Sequence, residues 1–503
     1  MVNRTSPYAL LLAPAYDHDV YRSAESLGLR AVAAVLRRLG AEVHVFDECA
    51  VPPPEVVRGL ASHATLIGLG VLFTRQTPDA MDLARRLRLD APKAHFTIGG
   101  QGLQFLWEEV MRDCAEIDSA CMNEGDETIA ELWDRLARGQ GDHGIKGLCT
   151  RLDGKVVSAG PRPPVAALDD LPYAYRDPSP TAYRDGHATV STSRGCAAHC
   201  TFCQSGNYGN RYHRLPRWRQ RSARSVIGEV VRLHDGHGVD AVSFVDDDFL
   251  GGAGQGRDRA VEFADRLAGL PFRITFSIEC RVDEIDGPLL ERLRGVGLRH
   301  VLIGIESATE SDIRIFAKRT TTEQVETAVA LLRRLNIDFS TGFIMFQPLS
   351  TLAGITDNLA FLARNRLTSY SRLTNRLELY PGALLLRYFE RHGVRMQTEK
   401  YRVYYEFTDP LVSRLYAAMR QVLAPFAEVE AACDTAKFRA ARGHDEASFE
   451  HLATLRDRSD EIANCLIDYA RRCLDQVCEN GVGASFEHLT AAVARETSRM
   501  RQE

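Results

Sequence analysis

The chain has 503 residues, 45% of them hydrophobic and 26% charged, with a net charge of −5. That composition is globular, and the length exceeds what one core can organise, so about three domains are expected. The mild negative charge argues against a nucleic-acid partner, and no apolar run reaches the ~18 residues of a membrane span.

Residues 1–140 alternate short apolar runs with helical periods. Ala9–Ala13, Glu42–Phe46, Leu66–Val71 and Phe96–Ile98 read as buried strands, and Leu27–Leu39 carries a helical stripe at Leu29, Val32, Val35 and Leu36. Strands separated by helices predict a Rossmann-like parallel-sheet domain. Ligands on such sheets sit beyond the carboxyl ends of the strands. Here those ends carry Ala13-Pro14, Phe73-Thr74-Arg75-Gln76, Gly99-Gly100-Gln101-Gly102 and Asn123-Glu124-Gly125-Asp126-Glu127. The run 8–15 is read as a first strand because it meets Pro14 and a charged loop, not a cleavage site.

A linker is predicted over 141–185, with a hairpin at Leu148–Ser158 around Asp153-Gly154, then the proline-punctuated stretches Pro161–Pro164 and Leu168–Pro172. From 186 to 390, Ala188–Thr192, Ala241–Val245, Ile274–Ile278, His300–Ile305, Ser340–Phe346 and Leu377–Tyr380 are strand candidates. Thr320 with Glu323 has capping-box spacing. About six such units in some 200 residues predict a partial (β/α)6 barrel with its active groups at the strand carboxyl ends. Residues 391–503 are expected to form a mostly helical domain, with one helix starting at Asp409-Pro410. The predicted fold class is therefore α/β. The aromatics Tyr401, Tyr404, Tyr405 and Phe407 read as core, and Cys465, Cys473 and Cys478 as ordinary thiols.

The strongest chemical signal is Cys196-Ala197-Ala198-His199-Cys200-Thr201-Phe202-Cys203. Three thiolates in eight residues can hold three corners of an iron–sulfur cube. No fourth cysteine lies at matching distance, so the fourth iron stays open to a non-protein ligand, the logic of a catalytic metal site. A zinc knuckle would need His199, which lies inside the triplet, or His213 as its fourth ligand. A cluster of this kind needs a reducing compartment, and the cytoplasm is expected. The basic stretch Arg211–Arg224 follows the triplet directly, which favours an anionic ligand over a duplex.

The triplet, with Phe202 just before its last cysteine, resembles the cluster loop of the radical S-adenosylmethionine (SAM) enzymes. In that family the amino and carboxylate groups of SAM chelate the open iron of a [4Fe–4S] cluster. One electron then cleaves SAM to a 5′-deoxyadenosyl radical, which abstracts hydrogen from the substrate. The resemblance implies Cys196, Cys200 and Cys203 as metal ligands and Phe202, Asp247, Glu279, Arg281 and Glu306 as SAM contacts. Asp247 would meet the SAM amino group, Arg281 its carboxylate and Glu279 the ribose. Glu306 would either orient SAM or pair with an arginine. Tyr380-Pro381-Gly382 resembles the turn closing the adenine side.

Ser26-Leu27-Gly28-Leu29, Gly99-Gly100 and Asn123–Thr128 resemble the cobalamin-binding domain that precedes many radical SAM barrels. That resemblance implies cobalamin at Phe73, Thr74, Gly99, Gly100, Glu124 and Gly125. The Asp-x-His-x-x-Gly loop of one cobalamin class is absent, and Asp17-His18-Asp19 does not match it. The implied function is cobalamin-dependent C-methylation of a small-molecule intermediate in natural-product biosynthesis, with flavodoxin or ferredoxin as electron donor. The alternative is radical SAM dehydration, epimerisation, cyclisation or rearrangement with cobalamin unused or absent.

Overall fold

The structure is a computed structural model that describes residues 7–14, 25–47, 52–176, 183, 186–205, 217–252, 254–440 and 446–502. Asp17-His18-Asp19, Cys49, His213 and the basic residues at 211 and 214 lie outside the described residues.

The amino-terminal sheet contains β1 (Tyr8–Leu12), β2 (Glu42–Phe46), β3 (Leu66–Gly70), β4 (His95–Gly99), β5 (Ser119–Cys121), β6 (Leu148–Leu152) and β7 (Lys155–Ser158). Their order is β2-β1-β3-β4-β5-β6-β7. The first five run parallel. Every β1 residue is buried, as a strand covered on both faces requires. The helix Leu27–Arg38 (α1) and the helix Gly125–Ala137 (α5) cover one face through Leu29, Leu36, Ile129 and Trp133. The helices between them, α2 (Pro54–Ala61), α3 (Thr77–Asp90) and α4 (Trp107–Asp113), supply Ala61, Met81, Leu87, Val110 and Met111 to the other face.

Strand β5 escaped the sequence reading, because Ser-Ala-Cys is too short to show a period and carries no β-branched residue. The hairpin expected at the head of the linker is instead hydrogen-bonded to β5 and extends the sheet by two antiparallel strands. Asp153 (φ 50°) and Gly154 (φ 74°) make its two-residue turn. The connector beyond is held by Arg176, which pairs with Glu25 and, at 2.8 Å, with Glu229.

The second sheet is parallel, in the order β14-β13-β12-β11-β8, with β8 (His187–Val190), β11 (Ala241–Phe244), β12 (Thr275–Arg281), β13 (Leu298–Glu306) and β14 (Asp338–Phe343). A short antiparallel pair, β9 (Ser193–Gly195) and β10 (Trp218–Gln220), follows β8. The predicted sixth strand at 377–380 is not a full strand. It joins the barrel edge through a parallel bridge, Phe346 to Arg376, and Leu377 N donates to Phe346 O at 2.8 Å. In β12 the residues Phe276, Ile278 and Cys280 pack under the outer helices, leaving Ser277, Glu279 and Arg281 on the concave face.

The outer layer includes α6 (Ala223–His237), α7 (Gln255–Ala268), α8 (Gly287–Gly295), α9 (Glu310–Ile315), α10 (Thr322–Arg334) and α11 (Leu352–Arg364). The cap of α10 is displaced by one residue from the expected Thr320–Glu323 pair. Gln324 N donates to Thr321 Oγ1 at 3.3 Å, and Thr321 N donates to Gln324 Oε1 at 2.9 Å. Thr320 is buried, and its hydroxyl has no partner among the described residues. Thr321→Ala is therefore expected to cost about 1 kcal/mol, read as a lowered thermal midpoint, whereas Thr320→Ala leaves the cap intact.

Beyond the barrel come α12 (Tyr370–Thr374), α13 (Leu384–Arg391), the hairpin β15 (Met396–Glu399) and β16 (Arg402–Tyr405), and the long helices α14 (Pro410–Ala440), α15 (Glu446–Asn480) and α16 (Glu487–Gln502). Asp409 caps α14 by accepting from Leu411 N at 2.8 Å. Leu415, Met419, Leu466 and Ala470 belong to the same apolar core as the barrel, so the carboxyl-terminal helices are packed onto it. Tyr405 and Phe407 are core as expected, while Tyr404 is 45% exposed and Tyr401 donates to Asp113 of the first sheet's layer at 2.7 Å. Among the described residues no helix is long and apolar enough to cross a membrane.

Candidate active site

The cysteine loop leaves the barrel through the β9–β10 pair. Gly195 has φ 82°, and a Cβ there would overlap the carbonyl oxygen of Arg217, so only glycine lets the two strands close immediately before Cys196. Cys200 is buried; Cys196 and Cys203 are half-buried. The loop is pinned to the end of α9. Thr201 N donates to Phe316 O at 3.0 Å, Thr201 Oγ1 to Ile315 O at 2.7 Å, and Phe202 lies edge-on to Phe316 at 5.3 Å. Phe202, expected beside SAM, thus also packs against the barrel.

Ala198 N donates to Cys196 Sγ at 3.4 Å, and the thiol reaches Asp248 Oδ2 at 3.6 Å. Burial, then the Asp248 charge, pushes the Cys196 thiol up to about 12, so iron loading must displace that proton. Among the described residues no three His, Cys, Asp or Glu side chains surround one point as a single ion requires. A four-iron cube makes no such demand, because each thiolate takes a different iron.

The three consecutive aspartates after β11 have different surroundings. Asp246 is 2% exposed and accepts from Thr192 N (2.7 Å), Thr192 Oγ1 (2.9 Å), Ser193 N (2.5 Å) and Ser193 Oγ (3.0 Å). Arg259, also buried, donates to Thr192 O at 3.0 Å and to Thr192 Oγ1 at 2.6 Å. Together they fix the chain between β8 and Cys196. Asp248 is buried and accepts from Gly251 N at 2.9 Å. Asp247 alone reaches solvent, deep in the concave mouth, where desolvation raises its carboxyl and Ser205 hydrogen-bonds it.

Glu279 stands beside it. Burial first, then Asp247 and Asp246, pushes this carboxyl up to about 7, so it is poised to donate or accept near neutrality. Below these acids the concave wall is polar, with His187 Nε2 2.9 Å from Ser243 Oγ and Ser277 Oγ 3.0 Å from Ser243 Oγ.

Arg281 departs from its expected setting. Its guanidinium is filled by Asp283 (Nε–Oδ1 2.9 Å, Nη2–Oδ2 3.0 Å) and by Lys318 O at 3.2 Å, while Nη1 lies 4.0 Å from Cys200 Sγ. Protein groups thus engage Nε and Nη2, and Nη1 is turned toward the cysteine loop. Its position suits the cysteine loop. Glu306 has φ 72° and pairs with Lys318 at 3.2 Å, a lysine where an arginine was the expected partner. Lys318 is 5% exposed; burial alone would lower its pKa, and Glu306 and Cys200 hold it up. The sequence alone did not single out Lys318 or Ser205, and it marked Asp246 only within the run Asp246-Asp247-Asp248.

The first sheet presents its carboxyl edge to this mouth. Thr74, buried, donates to Gly102 O at 3.0 Å, and Gln76 Oε1 accepts from Phe73 N at 3.0 Å. Arg75 lies over the Phe73 ring at 5.1 Å. Gly100 has φ 113°, and a Cβ there would strike the Val71 carbonyl; one at Gly102 would meet Phe73 C at 2.6 Å. These glycines bring the β3 and β4 loops together. Gly99 ends β4 and Gly125 opens α5. Glu124 lies in ion pairs with Arg219 and, at 3.2 Å, Arg194. Arg221 pairs with Glu229 at 2.6 Å, so these two arginines of the basic stretch are structural. Across the gap, Gln101 Nε2 donates to Ser205 Oγ at 3.4 Å, two residues after Cys203. Tyr380 donates to Glu378 Oε2 at 3.3 Å and lies within the field of both Cys203 and Arg75.

A cysteine loop at the mouth of a partial barrel, with an α/β sheet edge facing it, defines a radical SAM architecture. The family model described as the radical SAM superfamily matches residues 190–362, and that described as the B12 binding domain matches 16–133. The chain belongs to the radical SAM superfamily, in the subgroup that carries a cobalamin-binding domain, and is an enzyme. Its cofactors are a [4Fe–4S] cluster, SAM and cobalamin. It is 26% identical over 352 residues to an uncharacterized methyltransferase of Pyrococcus horikoshii, covering 66% of this chain and 74% of the relative. The fold matches OxsB, described as a cobalamin-dependent S-adenosylmethionine radical enzyme, with TM-score 0.77 and 18% identity over 99% of this chain and 75% of that one. It also matches TsrM, a radical S-adenosylmethionine methyltransferase from Kitasatospora setae, with TM-score 0.66 and 17% identity over 78% of each chain.

Proposed function

We propose that this enzyme transfers a methyl group to an unactivated carbon of a small molecule held in the barrel mouth. The observation that carries this reading is the juxtaposition of the two sheet edges, closed by the Gln101–Ser205 hydrogen bond of 3.4 Å. When bound, the cluster with SAM supplies a hydrogen-abstracting radical, and cobalamin supplies the methyl group. The residues fit both groups. Cys196, Cys200 and Cys203 offer three thiolates and no fourth. At the edge of the first sheet, where strand order reverses between β1 and β3, Leu72 leaves an apolar side chain 47% exposed for a flat macrocycle to cover.

Within that frame, Asp247 accepts from the SAM amino group, and Glu279, near its midpoint at neutral pH, hydrogen-bonds the ribose. Lys318 and Arg281 place positive charge beside Cys200. Phe73 and Thr74 support the cobalamin edge. A one-electron donor of the flavodoxin or ferredoxin type completes the reaction.

A second reading is radical rearrangement without methyl transfer. The fuller fold match to OxsB, whose description names no transferred group, favours it. Product analysis decides. Methyl transfer is expected to yield S-adenosylhomocysteine and 5′-deoxyadenosine in equal amounts, from protein that retains hydroxocobalamin through gel filtration with a base-off spectrum. Productive turnover without S-adenosylhomocysteine would replace methyl transfer by the second reading.

A further inference from the structure

Glu124 and Asp126 open α5 at the edge of the first sheet, yet both carboxylates are occupied by arginines of the β9–β10 pair. Arg194 Nη1 and Nη2 donate to Asp126 at 2.6 and 3.1 Å, and Arg194 also lies 3.2 Å from Glu124. Arg219, the direct cross-strand partner of Arg194, pairs with Glu124 and donates to Val165 O, while Val165 N donates to Glu124 Oε2 at 3.0 Å. Asp126 is 5% exposed, and Arg219 keeps only 12% of its side chain in water. Burial would raise the Asp126 carboxyl, but Arg194 holds it low. Arg194 is two residues before Cys196, and the Gly195 between them closes against the Arg217 carbonyl.

We propose that Glu124, Asp126, Arg194 and Arg219 form a positioning strut that sets the distance and orientation between the cobalamin-bearing sheet edge and the cysteine loop. Two guanidiniums gripping two carboxylates across the gap resist both sliding and opening, because fork-to-fork pairs are directional. Two partly buried arginines then serve a geometric purpose: the reacting groups of the two halves are kept in register. The positioning claim rests on the proposed methyl transfer only for its kinetic consequence; the strut itself is a property of the chain.

The test compares Arg194→Gln and Asp126→Asn with the parent and with Arg194→Lys, in the full-length protein. Hydrogen exchange over residues 193–205 is measured in metal-free, cobalamin-free protein. It is expected to accelerate on the order of tenfold to a hundredfold in the Gln and Asn variants, as loss of a buried partner implies, and to recover in part with Lys. In loaded protein, pulsed paramagnetic resonance between the one-electron-reduced cluster and the paramagnetic state of bound cobalamin is expected to show a broader distance distribution. Iron content and cobalamin retention should match the parent. The ratio of 5′-deoxyadenosine to S-adenosylhomocysteine is then expected to rise above one. Parent-like exchange together with a parent-like distance distribution would overturn the strut. If the parent itself makes no S-adenosylhomocysteine, the proposed methyl transfer fails, and the exchange and distance measurements still decide the strut.

Discussion

Protein in which Cys196, Cys200 and Cys203 are all replaced by Ala is expected to fold, to stay colourless after iron and sulfide reconstitution, and to lose SAM cleavage. Only Cys200 of the three is buried, so the structural penalty is on the order of 1 kcal/mol. The loop's anchoring is untouched, because Thr201 and Phe202 hold it to the end of α9. The catalytic penalty is of another scale: removing an essential constellation typically costs on the order of 10⁴-fold or more. Iron analysis, visible absorption and 5′-deoxyadenosine formation are the three readings. Near-parental iron in the triple variant would remove the loop from its assigned role and leave the cluster to other cysteines.

Asp246→Ala is expected to act through the fold before it acts through the chemistry. The substitution strips an acceptor from Thr192 N and Ser193 N, and it leaves the Arg259 guanidinium with less compensation in a buried site. Breaking a buried charged network from one side costs about 3–5 kcal/mol. The residues set adrift immediately precede Cys196, so iron loading should fall together with the thermal midpoint. Asp246→Asn keeps the volume and one acceptor oxygen, and should lie between parent and Ala on both measurements. Asp247→Asn, at the solvent-reached neighbour, should leave the midpoint unchanged and weaken SAM binding. A thermal midpoint unaltered by Asp246→Ala would mean that the chain between β8 and Cys196 is fixed by something else.

The contrast between these neighbours shows what was legible. Spacing alone singled out the cysteine triplet, since ligands of one cluster lie close in sequence, and recurring apolar runs located the barrel strands. Asp247 was named by the resemblance; the structure sets it apart from its neighbours, since Phe244, Asp246 and Asp248 are buried while Val245 and Asp247 are exposed. The anchoring duties of Asp246 and Asp248 were invisible: their partners Thr192, Ser193 and Arg259 are distant in sequence or belong to a different element. Phe202 was placed by motif and Arg281 by charge complementarity, and neither reading foresaw a protein partner. Their partners Phe316 and Asp283 were already in place to occupy them.

The amino-acid sequence by itself determined the α/β class, the open three-thiolate set and the strand ends at which chemistry gathers, since each depends on short-range spacing and on periodicity of burial. Only the tertiary structure decided how the charged residues are spent. Glu124 lies 95 residues from Arg219, and Asp126 lies 68 residues from Arg194. A carboxylate at a strand end reads the same in sequence whether it faces a ligand or an arginine. What separates the two cases is whether folding brings a guanidinium within about 3 Å, where the gain from pairing offsets the loss of hydration.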